Sequence, residues 1–172
     1  ALASADVMSI ALAQPGAGEG LIGFEGNGRR TTTRLLDGEF PKYRTLLPNE
    51  AASVALVETA MLADAVKRVS LVAERNTPVR LNFDGSEVVL RAGAGDDAQA
   101  NEAVECNVDG DALEIAFNPG YLLDGLAAID SPIARFSFTQ STRPAVLTGM
   151  ADRSATPSDE YRYLLMPVRL TG

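Results

Sequence analysis

The sequence predicts an α+β fold in which one strand–helix–strand–strand–strand unit occurs twice, with two helices packed on antiparallel sheets. Two observations support this prediction. Each half of residues 50–170 has a short strand followed by a helical hydrophobic pattern, and the two helical segments align at a constant offset of 60 residues. The alignment sets MLADAVKRV (61–69) over YLLDGLAAI (121–129) and superposes Leu62 on Leu122, Asp64 on Asp124 and Val69 on Ile129. Neither unit can bury its helix and sheet faces alone, so we expect the two copies to pack as a pseudo-twofold domain.

The first copy begins with the strand ASVALVE (52–58) and continues into a helix of about five turns over residues 59–75. The apolar stripe of this helix consists of Met61, Leu62, Ala65, Val69, Val72 and Ala73. Leu71 lies among charged residues on the opposite side. Three strands follow, PVRLNF (78–83), EVVLRA (87–92) and AQANEAVECNV (98–108), with an Asp84-Gly85 turn between the first two.

The second copy repeats this order. LEIAF (113–117) is a strand, and Asn118-Pro119 caps and opens a helix that runs through Ile129. Three strands follow, PIARFSF (132–138), PAVLTG (144–149) and EYRYLLMPVRL (160–170). The last strand is apolar on both faces, whereas a closing strand over one core needs apolar residues only at alternate positions. The interpretations that remain are a plain closing strand and a strand whose second face binds a partner.

Residues 1–48 have a different pattern. The segments 20–26 and 29–36 flank Gly26-Asn27-Gly28 and predict a hairpin. The connector that follows contains two prolines, and we place the domain boundary at Pro48-Asn49. This gives the end of one domain in 1–47 and a complete second domain in 48–172.

The composition excludes several classes of site. The chain has no histidine and a single cysteine, Cys106, in 172 residues. Histidine-dependent nucleophiles, histidine metal sites and disulfides within the chain are thereby excluded, and Cys106 is expected to be a small buried residue. The acidic pairs at 96–97 and 109–111 lack the ligand spacing of a calcium loop, and the G-x-G-x-x-G match at 18–23 precedes a strand and not a helix. We therefore expect no metal and no cofactor.

Charge and hydropathy limit the partners. The formal net charge of −8 leaves either no DNA contact or contact through a small positive patch, for which Lys67, Arg68 and Arg75 on the first helix are the candidates. An ordinary solvated helix face is the alternative. The chain starts at Ala1 and has no apolar run long enough for export or a membrane span, so we expect a fragment or processed product in the cytoplasm, without membrane contact.

Three segments, together with the duplicated domain, resemble one known family. They are LLDGEFPKYRTLLP (35–48), AFNPGYLLDGL (116–126) and YLLMPVRL (163–170), and they are similar to the bacterial sliding clamp, the beta subunit of DNA polymerase III, especially its actinobacterial members. An F-P-x-Y-R motif at the right separation from a terminal M-P-x-R-L motif makes the resemblance specific. It covers the whole chain: residues 1–47 resemble the end of the family's middle domain, and the rest resembles its complete third domain.

The resemblance implies a DNA clamp fold and a non-catalytic processivity factor. Members form head-to-tail homodimeric rings that encircle duplex DNA and tether the DNA polymerase III alpha subunit, the clamp loader and repair polymerases through short clamp-binding motifs. Helices line the hole, so the resemblance makes Lys67, Arg68 and Arg75 DNA-facing. Because enclosure replaces tight binding, a few cations suffice.

The resemblance also implies two further sites. The partner-peptide pocket would consist of Pro41, Thr45, Leu46, Asn76, Asn118, Tyr121, Thr142, Pro144, Leu164, Leu165, Met166, Pro167, Val168 and Arg169. Asn76 and Thr45 stand where some relatives have an aromatic residue and an arginine. The contact with the other subunit would involve Leu71, Glu102 and Glu105, and we expect no closed ring from this chain alone.

Two other classes of protein stay open. A stand-alone adaptor would bind peptides at the same pocket and never contact DNA. A small enzyme using Asp or Glu chemistry would need paired carboxylates converging in a cleft, and no spacing in the sequence indicates such a pair.

Overall fold

The structure is a computed structural model that describes residues 6–13, 20–36, 38–48, 50–72, 77–93 and 99–169. The chain divides into two compact units, 1–42 and 43–172. The second unit therefore begins a few residues before the expected boundary at Pro48-Asn49, and the domain limits 1–47 and 48–172 stay a prediction.

The first unit contains a three-stranded antiparallel sheet. Its strands are β1 (Ser9–Leu12), β2 (Leu21–Gly26) and β3 (Arg29–Arg34), in that order across the sheet. Asn27 and Gly28 both have positive φ values, 50° and 70°, as a type I′ hairpin turn requires. This confirms the predicted hairpin. β1 was not predicted from the sequence; it is four residues long and exposed throughout.

The second unit contains the duplicated order of elements, which confirms the predicted α+β architecture. The elements are β4 (Ser53–Glu58), α1 (Thr59–Val69), β5 (Val79–Asp84), β6 (Glu87–Ala92), β7 (Ala100–Asp109), β8 (Leu113–Phe117), α2 (Pro119–Ala128), β9 (Ile133–Phe138), β10 (Ala145–Met150) and β11 (Tyr163–Leu165). Short 3-10 turns occupy Tyr43–Thr45 and Ser70–Val72.

The two copies exchange their first strands. The eight strands form one antiparallel sheet in the order β11-β10-β9-β4-β7-β6-β5-β8. The first strand of each copy thus pairs with the second strand of the other, β4 with β9 and β8 with β5. Neither copy can complete its half of the sheet alone, which explains physically why the unit occurs twice.

Both helices lie against one face of this sheet. From α1, Leu62, Val66 and Val69 enter the core, and Leu122 and Leu126 do so from α2. Three phenylalanines from β5 and β9 form an aromatic group with ring centroids 5.0 to 5.8 Å apart, namely Phe83, Phe136 and Phe138.

The first helix is shorter than predicted. It ends at Val69, where the Ser70 hydroxyl donates to the Val66 carbonyl at 2.5 Å and the chain tightens into a 3-10 turn. The predicted continuation of this helix through residue 75 is wrong for residues 70–72, which form the 3-10 turn. Residues 73–76 lie outside the described part of the chain. Met61, expected in the buried stripe, is 54% exposed, because the stripe is centred on Leu62, Val66 and Val69.

A glycine makes the junction between the two copies possible. Gly110 has φ +107°, and a Cβ there would lie 2.5 Å from the Ala52 carbonyl oxygen. The neighbouring carbonyl of Asp111 accepts a hydrogen bond from the Ser53 hydroxyl at 3.0 Å. The turn from β7 to β8 is therefore packed directly on the start of β4, which brings the two copies together.

Candidate partner-binding surface

The closing strand is much shorter than the predicted 160–170. β11 pairs with β10 over three residues, from Tyr163 opposite Leu147 to Leu165 opposite Ala145. The chain then leaves β10 and crosses to the far edge of the sheet, where the Val168 N–H donates to the Ala116 carbonyl of β8 at 2.8 Å. Pro167 has no N–H to donate, so a regular ladder cannot form across this segment. One hydrogen bond thus bridges the two ends of the eight-stranded sheet.

The tail segment, residues 164–169, divides into buried and exposed side chains. Leu165 is 2% exposed and belongs to the core, so the structure corrects its predicted place in the wall of an open pocket. Leu164 and Pro167 are half-buried. Met166 and Val168 are 58% and 38% exposed, and Arg169 is exposed as well. The tail therefore has apolar surface that its own domain does not cover.

The start of α2 lies beside this segment. The Asn118 side-chain oxygen accepts hydrogen bonds from the N–H groups of Gly120 at 2.9 Å and Tyr121 at 3.3 Å. This is the predicted helix cap, and it occupies the carbonyl oxygen of a side chain that the resemblance assigns to the pocket. Tyr121 is 62% exposed.

An aromatic contact fixes the tail to this helix. The Tyr163 ring lies so close to α2 that a Cβ on Gly125 would be 2.6 Å from the ring carbon Cδ1. Tyr163 also stacks on Tyr161, with centroids 6.5 Å apart. Partial burial raises the pKa of the Tyr163 hydroxyl, and the nearby charge of Asp124 acts in the same direction. The position of the tail segment thus depends on a glycine in the middle of α2.

The connector and the β9–β10 turn form a cavity of about 270 Å³, which we call the turn cavity. It brings together three residues of the predicted pocket, Thr45, Leu46 and Pro144. Thr142 lies in the same turn and is exposed. The connector and this turn therefore line one cavity, and their part in a peptide pocket stays a prediction.

A second cavity of about 310 Å³, the outer cavity, shares Leu47 and Pro48 with the turn cavity. Its polar wall includes Arg135, Thr148 and Arg162. None of these three residues was predicted from the sequence to belong to a site. Each stands singly at an outward position of a strand or at a strand end, and a single sequence gives no signal that they converge.

The structure does not place the other predicted pocket residues in the lining of the turn cavity or the outer cavity. Pro41 belongs to the first unit and is exposed, and Asn76 lies outside the described residues. Neither the turn cavity nor the outer cavity is lined by Tyr121 or by the tail segment. Met166 contributes exposed apolar surface to the second unit.

The predicted DNA-facing cations are paired with carboxylates. Lys67 contacts Asp64 at 3.1 Å. Arg68 donates to both carboxylate oxygens of Glu102, from Nε to Oε2 at 3.1 Å and from Nη2 to Oε1. This hydrogen bonding lowers the pKa of Glu102 below its ordinary value. Arg75 lies outside the described residues, and a groove of about 820 Å³ between α1 and α2 has Lys67 in its lining.

The predicted subunit-contact residues lie around a free strand edge. Of the residues in β7, only 106–109 pair with β4. Within the described part of the chain, residues 100–105 therefore have a strand neighbour on one side only, which is β6. Leu71 is 85% exposed. The Glu105 side chain is 83% exposed and lies 3.6 Å from Arg153. Glu102 is the more buried of the two carboxylates because Arg68 covers it.

The described residues contain neither a cluster of metal ligands nor a membrane-spanning helix. No group of three or more His, Cys, Asp and Glu side chains there is arranged to hold a metal ion. Within the same ranges, no helix has the length and apolar character to cross a membrane.

Comparison with known proteins gives consistent matches. The profile of the DNA polymerase III beta subunit, C-terminal domain, matches residues 44–169. The chain is 60% identical to the beta sliding clamp of Streptomyces coelicolor over 172 residues, which cover all of this chain and 46% of that protein.

Two solved structures have the same fold. A Pseudomonas aeruginosa DNA polymerase sliding clamp with ligand superposes with a TM-score of 0.74 at 27% identity, over 89% of this chain and 40% of that one. A P. aeruginosa sliding clamp bound to griselimycin gives a TM-score of 0.73 at 27% identity, with the same two coverages, 89% and 40%. The chain thus spans less than half of the length of these relatives. These superpositions confirm the expected clamp fold, and because the profile match extends over most of its length, the chain belongs to the family of DNA polymerase III beta subunits, the sliding clamps.

Proposed function

We propose that this chain is the C-terminal part of a sliding clamp, a non-catalytic processivity factor in the cytoplasm. The complete protein encircles duplex DNA as a homodimeric ring. Through its tail segment it tethers the DNA polymerase III alpha subunit, the clamp loader and repair polymerases. The observation that carries the proposal is the exposed apolar surface of Met166 and Val168, in a chain with 60% identity to the S. coelicolor clamp.

The tail segment suits short peptides that exchange rapidly. Covering two large apolar side chains is worth roughly 3 to 6 kcal/mol before the entropy cost of ordering the peptide, so these contacts alone give binding no tighter than about tens of micromolar. Met166, Val168 and the exposed ring of Tyr121 supply that apolar area. Weak binding lets several partners use one tether in turn.

The charge of the helix face fits enclosure better than tight DNA binding. Lys67 and Arg68 are each paired with a carboxylate, so neither is a strong, permanent phosphate contact. A clamp that slides should make few firm phosphate contacts, because each one adds affinity and salt dependence.

Ring closure would use the free edge of β7. Within the described ranges, residues 100–105 have no strand partner on that side, and Leu71 adds exposed apolar surface. An edge strand of this kind pairs readily with a strand of another chain. We propose that the first domain of the partner subunit supplies that strand.

Because Lys67 and Arg68 are paired with carboxylates, a stand-alone adaptor is the second candidate function. The decisive experiment therefore tests whether the complete protein encloses DNA. The complete protein is loaded onto nicked circular DNA and isolated by gel filtration, and the DNA is then cut once. A clamp stays on the circle and slides off the linear product. Equal retention on both forms would overturn enclosure, and no retention on either would favour the adaptor.

A further inference from the structure

The outer cavity is built by the long loop that joins β10 to β11. All six residues of β10 are buried, although only alternate ones face the core. The outward-facing residues are covered because the loop folds back over them, held by a hydrogen bond from the Ser158 N–H to the Gly149 carbonyl at 2.8 Å. The fit is incomplete, and about 310 Å³ of space remains between the loop and strands β9 and β10.

Thr148 belongs to the lining of this cavity, and its buried hydroxyl has no hydrogen-bond partner among the described residues. The residue is 5% exposed, and its Oγ1 makes no hydrogen bond to any part of the chain that the structure describes. A buried polar group without a partner costs roughly 1 to 3 kcal/mol, and native proteins contain few of them. A ligand group in the cavity would supply the missing partner.

Arg135 lies directly opposite Thr148 in the β9–β10 ladder. Directly opposed residues of neighbouring strands have adjacent side chains. The half-buried guanidinium donates through Nη1 to the Ser137 hydroxyl, and no described carboxylate lies within ion-pair distance of it. In contrast, Arg162 at the same cavity is already paired with Asp159. The cavity therefore has one uncompensated positive charge.

We propose that the outer cavity binds the carboxylate of an aspartate or glutamate side chain from a partner peptide, held by the Arg135 guanidinium and the Thr148 hydroxyl. A single negative charge neutralises Arg135 and satisfies the orphan hydroxyl. A phosphate dianion fits less well, because Asp159 lies in the same lining and Arg162 is already engaged.

The position of the cavity points to the same peptide that the tail segment binds, so this inference rests on the proposed function. Leu47 and Pro48 belong to both the outer cavity and the turn cavity. Val146 of the outer cavity pairs with Leu164 of the tail segment. A peptide lying along the tail therefore reaches Arg135 with a residue that flanks its apolar anchors.

The test uses peptides of the Gln/Leu/Phe type that are capped at both ends. Glutamate is placed in turn at each position that flanks the apolar anchors, and a peptide with glutamine at the same position is the neutral control. Affinities are measured by calorimetry at constant ionic strength. We expect about tenfold tighter binding of the glutamate peptide at one position, which corresponds to ~1.4 kcal/mol. Thr148→Val and Arg135→Gln should each abolish this preference. Arg91→Gln, which removes an exposed arginine from a strand of the first copy, should preserve it.

Stability separates a binding role from a structural one. Thr148→Val removes the unsatisfied hydroxyl with little change of shape, so it should leave the unfolding temperature unchanged or raise it while abolishing the preference for glutamate. Loss of the preference together with a lowered unfolding temperature would assign Thr148 to the fold and overturn the proposal.

The outcomes distinguish this inference from the proposed function. Equal affinity of all glutamate and glutamine peptides would overturn the carboxylate site and leave tail binding intact. If no peptide binds, the proposed function fails, and NMR titration with acetate against acetamide then decides the cavity alone. Acetate-specific shifts of the Thr148 amide and Arg135 Nε would support the site, and their absence would overturn it. Tighter binding of inorganic phosphate than of acetate would also overturn it.

Discussion

The guanidinium of Arg68 is hydrogen-bonded to both carboxylate oxygens of Glu102. The resemblance assigns the first residue to the DNA-facing side and the second to the subunit contact, so one ion pair joins the two predicted sites. Both residues are at the protein surface, where an isolated ion pair stabilises the fold little. The pair matters more for the charge that Arg68 can offer to DNA.

Releasing Arg68 should therefore strengthen DNA binding. We expect Glu102→Gln to raise the affinity of the complete clamp for duplex DNA at low salt, because the arginine loses its carboxylate partner. Arg68→Ala should weaken DNA retention by less than about tenfold, since enclosure is the main constraint. Fluorescence anisotropy and retention on circular DNA measure the two effects. In the double variant the effect of Glu102→Gln should vanish, and an unchanged gain there would show that Arg68 is not the group released.

The contact between Gly125 and Tyr163 predicts that the effect of Gly125→Ala on stability changes sign when the Tyr163 ring is removed. Gly125→Ala alone should destabilise the chain by about 1 to 3 kcal/mol, because the new methyl group overlaps the Tyr163 ring. In a Tyr163→Ala background the same substitution should stabilise it by roughly 1 kcal/mol, since alanine favours a helix interior over glycine. Urea unfolding measures both values. Destabilisation of similar size in both backgrounds would mean that the ring does not limit the space at Gly125.

Burial of Cys106 predicts a dependence of stability on alkaline pH. Burial raises the pKa of the thiol from 9.0 to about 11. Because the folded pKa is the higher one, the folded state favours the neutral thiol, and this contribution is complete below pH 9.0 and lost as the pH rises toward about 11. We expect the difference in unfolding free energy between the wild-type chain and Cys106→Ala to fall across that interval. A constant difference would contradict the shift.

Local sequence signals were sufficient for most of the fold. Asn27 and Gly28 indicate the hairpin because both need positive φ. Asn118 and Pro119 indicate the start of α2 because capping depends on adjacent residues. The offset of 60 residues indicates the duplication. Each of these signals acts within a few residues or within a repeat, so one sequence carries it.

What the sequence did not predict depends on long-range contacts. The exchange of β4 and β8 between the copies is a choice between equivalent strand partners, and no local pattern favours one of them. Leu165 has the same hydropathy as Leu164, yet it lies opposite the buried Ala145 in the strand pair and is itself buried in the core. The outer cavity needs Arg135 and Thr148 to meet across a strand pair, which their separation in the chain does not indicate.

The central claim is that the tail segment binds partner peptides, and a matched pair of methionine variants tests it most directly. Met166 in the tail and Met61 on α1 are 58% and 54% exposed, so truncating either leaves the core intact. A labelled Gln/Leu/Phe-type peptide is titrated into the wild-type chain, Met166→Ala and Met61→Ala. We predict about tenfold or greater loss of affinity for Met166→Ala and no change for Met61→Ala. Equal affinity of the wild type and Met166→Ala would contradict the claim.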